Sequence, residues 1–411
     1  MSDTATDTAL RTLHVLALNS GSSSLKFGLY RVSNHGVAAL LTGAAEDLGT
    51  ASAAWHAQDG QGRSLRPPAC PMADASQALA CVAAVLRDQQ LAGPQAIGHR
   101  VVHGGPHLRQ HCRIDDTVLQ ALQAAADFAP LHTPAALALI RGAADCFPGL
   151  PQVACLDTSF HTSMPAVAST LPLPLALRSA GIQRYGFHGL SCESIVHQLA
   201  PALPPRLLVA HLGNGASITA VRDGLSIDTS MGLTPTGGLV MGTRSGDLDP
   251  GVLVHLMRTC RLDAAGIEDL VDHHCGLLGV SGCSSDMRAL HAAAPSDANA
   301  SLAIAMFCQA VAKQLGAMCV ALGGMDQIVF TGGIGEHDAV VRAEVCTRLR
   351  CLGVALDAAR NRQGQGRISA DGSACLVQVL PSLEDDQIAR RTWALCQGRA
   401  GRATYVAQIR N

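Results

Sequence analysis

Two stretches far apart in this chain repeat one pattern. Leu207–Val221 reads Leu-Leu-Val-Ala-His-Leu-Gly-Asn-Gly-Ala-Ser-Ile-Thr-Ala-Val, and Val15–Leu29 reads Val-Leu-Ala-Leu-Asn-Ser-Gly-Ser-Ser-Ser-Leu-Lys-Phe-Gly-Leu. In each, an apolar run suited to a buried strand breaks at a polar Asn/Gly/Ser turn, and a second strand begins. Asn214-Gly215 between two such runs is a strong hairpin signal, because both residues can take positive φ. A turn of this kind leaves backbone N–H groups aimed at whatever lies above it, a position that suits an anion. Aligning Ser24 with Ser217 puts Leu25 on Ile218 and Gly21 on Asn214. The repeat predicts a duplicated core, with a loop from each half facing a shared cleft.

The 411 residues suit roughly two to three domains. At 48% apolar and 15% charged the chain can bury a large core, which excludes a disordered protein. A net charge of −2 recruits neither nucleic acid nor an anionic membrane, and 3% aromatic residues argue against base-stacking platforms. The fifteen cysteines include no CxxC pair, so buried reduced thiols in a reducing cytoplasm are expected rather than disulfides or zinc. Met1–Arg11 lacks the layout of a signal peptide, and no apolar run is read as approaching the ~20 residues of a membrane span. GxxxxGK followed by Ser or Thr is absent, which excludes a P-loop enzyme. His99, His103, His107 and His111 recur every fourth residue, but Gly104-Gly105-Pro106 interrupts them, so they cannot share a helix face as zinc ligands.

Taken in order, the chain reads as alternating strands and helices, with a Gly- and Ala-rich region of turn signals between the first hairpin and about 72. Helices are expected over 116–128 and 133–147, the latter with Thr133 as N-cap and Pro134 at its first position. Strands are expected at 152–156, 327–330 and 377–380, the longest helix at 297–322, and a last helix at 384–396 with Glu384, Asp385 and Asp386 at its N-terminus. The Gly-rich loop 228–249 is too long to be a mere connector.

Seven segments together carry a family. Asn19-Ser-Gly-Ser-Ser-Ser-Leu-Lys-Phe, His99-Arg-Val-Val-His-Gly-Gly, Asp157-Thr-Ser-Phe-His, Arg184-Tyr-Gly-Phe-His-Gly, His211-Leu-Gly-Asn-Gly, Met241-Gly-Thr-Arg-Ser-Gly-Asp-Leu-Asp-Pro and Gly332-Gly-Ile-Gly-Glu resemble acetate kinases, in that family's order, from about 14 to 394. The resemblance implies a duplicated actin-like (ribonuclease H-like) α/β ATPase fold, two domains flanking a nucleotide cleft. Domain I would comprise 12–160 plus 386–411, and domain II 161–385, which would also form a homodimer. The implied reaction is reversible transfer of a phosphoryl group from ATP to acetate, with Mg²⁺ (or Mn²⁺ in its place). Acetate is already ionised at neutral pH, so positive charge and in-line positioning are required and a general base is not.

By resemblance, Arg100, Arg244, His188 and Asp157 are the catalytic positions. The two guanidiniums suit bidentate contacts to carboxylate and phosphate oxygens, and Asp157 is read as orienting an Arg or the metal shell. Asn19 and Glu384 are the metal-associated positions. Ser22, Ser24 and Lys26 form the first phosphate loop, and His211, Leu212, Gly213, Asn214 and Gly215 the second. Asp286, Met287 and Arg288, with Gly333, Ile334, Gly335, Glu336 and His337, resemble the adenosine contacts. Val102, Leu131, Phe187 and Pro235 match the small apolar pocket for the acyl methyl group. The chain departs from the pattern at His337 (usually Asn), Thr236-Gly237, His132-Thr133, Cys192 and the segment Pro381-Ser-Leu-Glu-Asp. Propionate or butyrate kinases of the same family, and a non-catalytic actin-like ATP-binding protein, are the competing readings.

Overall fold

The computed structural model describes residues 11–21, 24–66, 72–129 and 132–398. It divides into two compact units, one comprising Met1–Ser159 with Leu383–Asn411 and the other Phe160–Ser382.

The first unit is built on a seven-stranded sheet. Its strands are β1 (Leu13–Ser20), β2 (Leu25–Ser33), β3 (Gly36–Glu46), β4 (Ala54–Asp59), β5 (Ala96–Val101), β6 (Cys112–Arg113) and β7 (Gln152–Leu156), ordered β4-β3-β2-β1-β5-β7-β6. β1 to β4 form an antiparallel meander, while β1, β5 and β7 run parallel. The strands within 36–59 are not expected from the sequence pattern. The low hydrophobicity of β3, GVAALLTGAAE, hides its alternation; its stability comes from pairing on both edges rather than from propensity.

The Ala75–Asp88 helix packs its apolar stripe of Leu79, Val82 and Leu86 against Leu16, Leu18, Phe27 and Ile97 of the sheet. Neighbouring strand residues face opposite ways, so Gly98 opens the other face, where the Glu384–Cys396 helix docks. A Cβ on Gly98 would lie 2.2 Å from Thr392 Oγ1 and 2.6 Å from Ile388 Cγ2, so only glycine allows that approach.

The second unit repeats the plan with six strands: β8 (Arg206–Leu212), β9 (Ala216–Arg222), β10 (Leu225–Thr229), β11 (Gln327–Thr331), β12 (Gly366–Arg367) and β13 (Leu376–Val379), ordered β10-β9-β8-β11-β13-β12. Here too an antiparallel meander, β8 to β10, leads into parallel β8, β11 and β13. β8 therefore corresponds to β1, β9 to β2, β10 to β3, β11 to β5 and β13 to β7. The duplication inferred from the two hairpins is a property of whole sheets.

Several local expectations are corrected. The β8–β9 hairpin forms, with His211 opposite Ser217 and Leu212 opposite Ala216, but neither Asn214 nor Gly215 has positive φ. A three-residue loop closes instead through Gly213 N–H donating to Gly215 O (3.0 Å). The helix expected to start after Thr133 includes it; His132 is the N-cap, and the buried Thr133 Oγ1 caps nothing.

The Ala298–Leu322 helix, capped by Asp297 and ended by Gly323 in the left-handed region, has 25 residues. At a mean hydropathy of 1.4 it is long and apolar enough to cross a membrane, contrary to the reading that no run approaches that length. Ala, Met, Cys and Val on every face raise its hydropathy, and the stripe Phe307, Val311, Leu315, Met318 and Leu322 is buried where the helix packs on β8, β9 and β10. Among the described cysteines thirteen are free, but Cys81 is disulfide-bonded, which corrects the expectation of reduced thiols throughout.

Candidate active site

In the first unit the chemistry gathers at the carboxyl ends of the parallel strands, where open α/β sheets bind ligands. β1 ends on Asn19-Ser20, β5 carries Arg100 one residue before its end, and Asp157 follows β7 directly. Arg100 Nε donates to Asp157 Oδ2 at 2.8 Å and Nη2 lies 2.6 Å from the same oxygen. Arg100 Nη1 points at Asn19 Oδ1 (3.4 Å) and Ser20 O (3.5 Å). Asn19 Nδ2 in turn donates to Glu384 Oε2 and Asp385 Oδ1, both at 3.1 Å. One buried amide thus bridges two carboxylates of the C-terminal helix and a guanidinium.

Burial works against the Arg100 charge, but Asp157 and Glu384 more than offset it and hold the guanidinium firmly protonated. Burial pushes the Asp157 carboxyl up, with Arg100 pulling against it and Glu384 adding to the rise. Asp157 Oδ1 is buried without a hydrogen-bond partner among the described residues. Burial also raises the Asp385 carboxyl to about 6, against the pull of the Asn19 amide. Asp385 joins this cluster, although the sequence marks it only as one of three acids in the first turn of the last helix.

The other first-unit candidates are nearby in the chain but less engaged. Val102 is buried two residues after Arg100. Lys26 pairs with Asn19 in the β1–β2 ladder and its side chain is exposed. Ser24 closes the turn, its carbonyl accepting from Gly21 N–H at 2.8 Å. Ser22 and Leu131 lie outside the described residues.

In the second unit His188 is the N-cap of the Gly189–Leu199 helix and sits at φ +57°. A left-handed non-glycine residue costs on the order of 1–2 kcal/mol and is worth explaining. Its ring stacks on His211, centroids 4.2 Å apart, and its Nδ1 meets Ser217 Oγ at 3.0 Å. His211 Nδ1 meets Ser191 Oγ at 2.8 Å. Each imidazole is thus oriented through one nitrogen by a serine hydroxyl, and neither serine stands out as functional in the sequence. A Cβ on Gly215 would lie 3.1 Å from His188 Nε2 and 3.4 Å from Arg244 Nη1, so these two donors converge over the hairpin loop.

Arg244 is held from behind, with Nη1 donating to Pro235 O at 3.3 Å. Its loop is laced by Gly242 N–H to Asn214 O (3.3 Å), Cys275 N–H to Thr243 O (3.0 Å) and Leu277 N–H to Met241 O (2.9 Å). Phe187 is buried, and its carbonyl meets His161 Nε2 at 2.8 Å. Leu212 is buried at the end of β8, and Gly213 and Asn214 form the loop beside Gly215.

The candidate adenosine segments are also brought together. Asp286 caps the Met287–Ala293 helix and pairs with the exposed Arg288 at 2.8 Å, while Met287 is buried. Gly333, Ile334, Gly335, Glu336 and His337 lie in the Gly332–His337 helix that follows β11. His291 Nε2 meets Asp338 Oδ2 at 2.8 Å, which ties the two segments.

A family model, that of the acetokinase family, matches residues 14–390. The chain belongs to the acetokinase family. Membership makes it a phosphotransferase with a carboxyl group as acceptor, on the actin-like ATPase fold, acting with ATP and a divalent metal. It is 44% identical over 392 residues to an acetate kinase of Ectopseudomonas mendocina, an alignment covering 93% of this chain and 98% of that one. An acetate kinase of Micrococcus luteus is 41% identical over 406 residues, covering 93% and 100%. Among solved structures, a propionate kinase from Francisella tularensis superposes with a TM-score of 0.86 at 36% identity, covering 92% and 99%. Porphyromonas gingivalis acetate kinase gives 0.82 at 35% identity, covering 93% and 100%.

Proposed function

We propose that this chain transfers the γ-phosphoryl group of ATP directly and in line to acetate, giving acetyl phosphate and ADP, in a reversible Mg²⁺-dependent reaction. The observation that carries this reading is the fate of Asp157. Its Oδ2 is engaged by Arg100 through both Nε and Nη2, so the carboxylate holds a guanidinium in place rather than taking a proton. A hydroxyl acceptor needs a base, whereas a carboxylic acid of ordinary pKa, near ~4, arrives ionised. The demand is for oriented positive charge, and Arg100 meets it at the acceptor.

Arg244 Nη1 and His188 Nε2, converging over Gly215, are placed to donate to phosphoryl oxygens as charge builds on them. His211, Asn214 and the N–H groups of the hairpin loop would hold the nucleotide phosphates, with Ser22, Ser24 and Lys26 contributing from the first hairpin. Asp286–Arg288 and, in the Gly332–His337 helix, Gly333, Ile334, Gly335 and His337 would take the adenosine. Asn19 and Glu384 would hold the metal; with the orphaned Asp157 Oδ1 they make an all-oxygen set that fits Mg²⁺, and Mn²⁺ in its place. Bound there, the ion would neutralise phosphate charge.

Val102, Leu131, Phe187 and Pro235 would form the acyl pocket and favour acetate. The likeness to a propionate kinase supports a second reading, graded use of the longer acid. A homodimer through the second unit is supported by the Pro250–Thr259 helix, which has no buried residue and exposes Val252, Val254 and Met257. The thirteen free thiols among the described cysteines support a cytoplasmic setting, and the disulfide at Cys81 counts against it. Hydroxylamine trapping of the acyl phosphate formed from acetate, propionate and butyrate tests the reading. Acetate should give the most hydroxamate, and ATP binding without hydroxamate from any acid would refute it.

A further inference from the structure

Glu336 matches the adenosine motif, yet its carboxylate is turned inward. Oε1 accepts from Gly332 N–H at 2.9 Å and from Ser382 N–H at 3.0 Å, with Thr331 Oγ1 at 3.4 Å. The first of these bonds closes the Gly332–His337 helix on its own N-terminus, satisfying a donor that the helix cannot pair internally. The second grips the last residue of the second unit, since the chain passes to the first unit between Ser382 and Leu383. Ser382 Oγ donates to Ser191 Oγ at 3.0 Å, and Ser191 Oγ meets His211 Nδ1 at 2.8 Å. A single path of hydrogen bonds therefore runs from the nucleotide helix through Glu336 and Ser382 to the imidazole beside the phosphate loop. Glu384 follows Ser382 by two residues.

We propose that Glu336 is a positioning residue, which fixes the nucleotide helix, the Ser382 crossover and the His211 ring in one arrangement rather than touching ATP itself. The inference rests on the reading of this chain as an ATP-dependent acyl kinase. A neutral amide oxygen at this position can still accept from both N–H groups, whereas a methyl group cannot. In the intact chain, Glu336→Gln should keep the KM for ATP within about 3-fold of the parent, and Glu336→Ala should raise it by about 10-fold or more. The KM for acetate should move less than about 2-fold in both, because Arg100 and Val102 are untouched by the change.

Amide hydrogen exchange supplies the readout that activity cannot. In Glu336→Ala, exchange at Gly332 and Ser382 should accelerate together, and in Glu336→Gln both should stay protected. Equal impairment of the two variants in ATP KM, with Gly332 and Ser382 still protected in both, would mean a direct contact with the nucleotide and would overturn the proposal. Failure of the parent itself to form acetyl hydroxamate would instead sink the kinase reading, so the two failures are distinguishable.

Discussion

Arg244 and Arg100 are both guanidiniums in Gly-flanked segments, but their settings differ and so should the consequences of losing them. Arg100 is locked to a buried acid, and removing it would leave Asp157 as an uncompensated buried carboxylate. Arg244 Nη1 donates to the Pro235 carbonyl and rests 3.9 Å from Met241 Sδ, at the loop where it meets His188 over Gly215. If Arg244 acts on the transferring phosphoryl group as proposed, Arg244→Ala should lower kcat by about 10²–10³-fold while ATP KM moves by only about 3-fold, the pattern of a group acting in the transition state. Steady-state kinetics with normal turnover would contradict it. Val102 offers the complementary test of specificity. If Val102 lines the proposed acyl pocket, replacing it with Ala removes two methyl groups from its wall, and a methylene is worth only ~1–3 kcal/mol of discrimination. The propionate-to-acetate ratio of kcat/KM should rise by about 10-fold or more, and an equal or lower ratio would remove Val102 from the pocket.

Elements are legible where their pattern is strong. The apolar runs of β1 and β8, broken by polar turns, announce both hairpins. The Glu384–Cys396 helix has the bounds expected of it, because its acidic first turn and apolar spacing agree. What cannot be read is geometry set by partners. Asn214-Gly215 favours type I′ dihedrals, but the ladder extends to Leu212 and Ala216 and leaves a three-residue loop whose glycine serves closeness to His188 and Arg244. Thr133 looks like a cap, yet the helix begins on it. Of the catalytic candidates, the charged positions are visible as motifs, whereas Ser191, Ser217 and Asp385 acquire meaning only from what the fold sets beside them. Gly98 belongs to this class too. It reads as an unexceptional glycine in β5, but it is the point where the C-terminal helix meets the sheet. Gly98→Ala should destabilise the protein by about 1–3 kcal/mol through overpacking against Ile388 and Thr392. Denaturant unfolding within about 0.5 kcal/mol of the parent would show that the helix is not seated as described.

At the scale of the whole molecule, each unit contains a buried histidine that titrates far from its ordinary range, at positions the duplication does not relate. His99 in the first unit and His161 in the second are both lowered by burial to about 4. Above pH ~6.5 neither folded nor unfolded chains carry a proton there, so neither histidine affects stability. As pH falls from ~6.5 to ~4 the unfolded chain takes up a proton that the folded chain refuses, and each site costs its unit up to about 3 kcal/mol. Asp385, raised to about 6, acts with the opposite sign in the first unit, because there the folded chain binds the proton first. The acid profile of the parent alone is therefore not diagnostic, but its difference from a non-titrating variant is. Both tryptophans, Trp55 and Trp393, lie in the first unit, so their fluorescence follows that unit while circular dichroism follows both. His99→Gln should flatten the loss of stability between pH 6.5 and 4 as reported by tryptophan fluorescence. His161→Gln should leave the fluorescence-reported change as in the parent and flatten the part seen only by circular dichroism. If the stability difference between parent and variant stayed constant across that pH range, the histidine concerned would not be the acid-sensitive group of its unit.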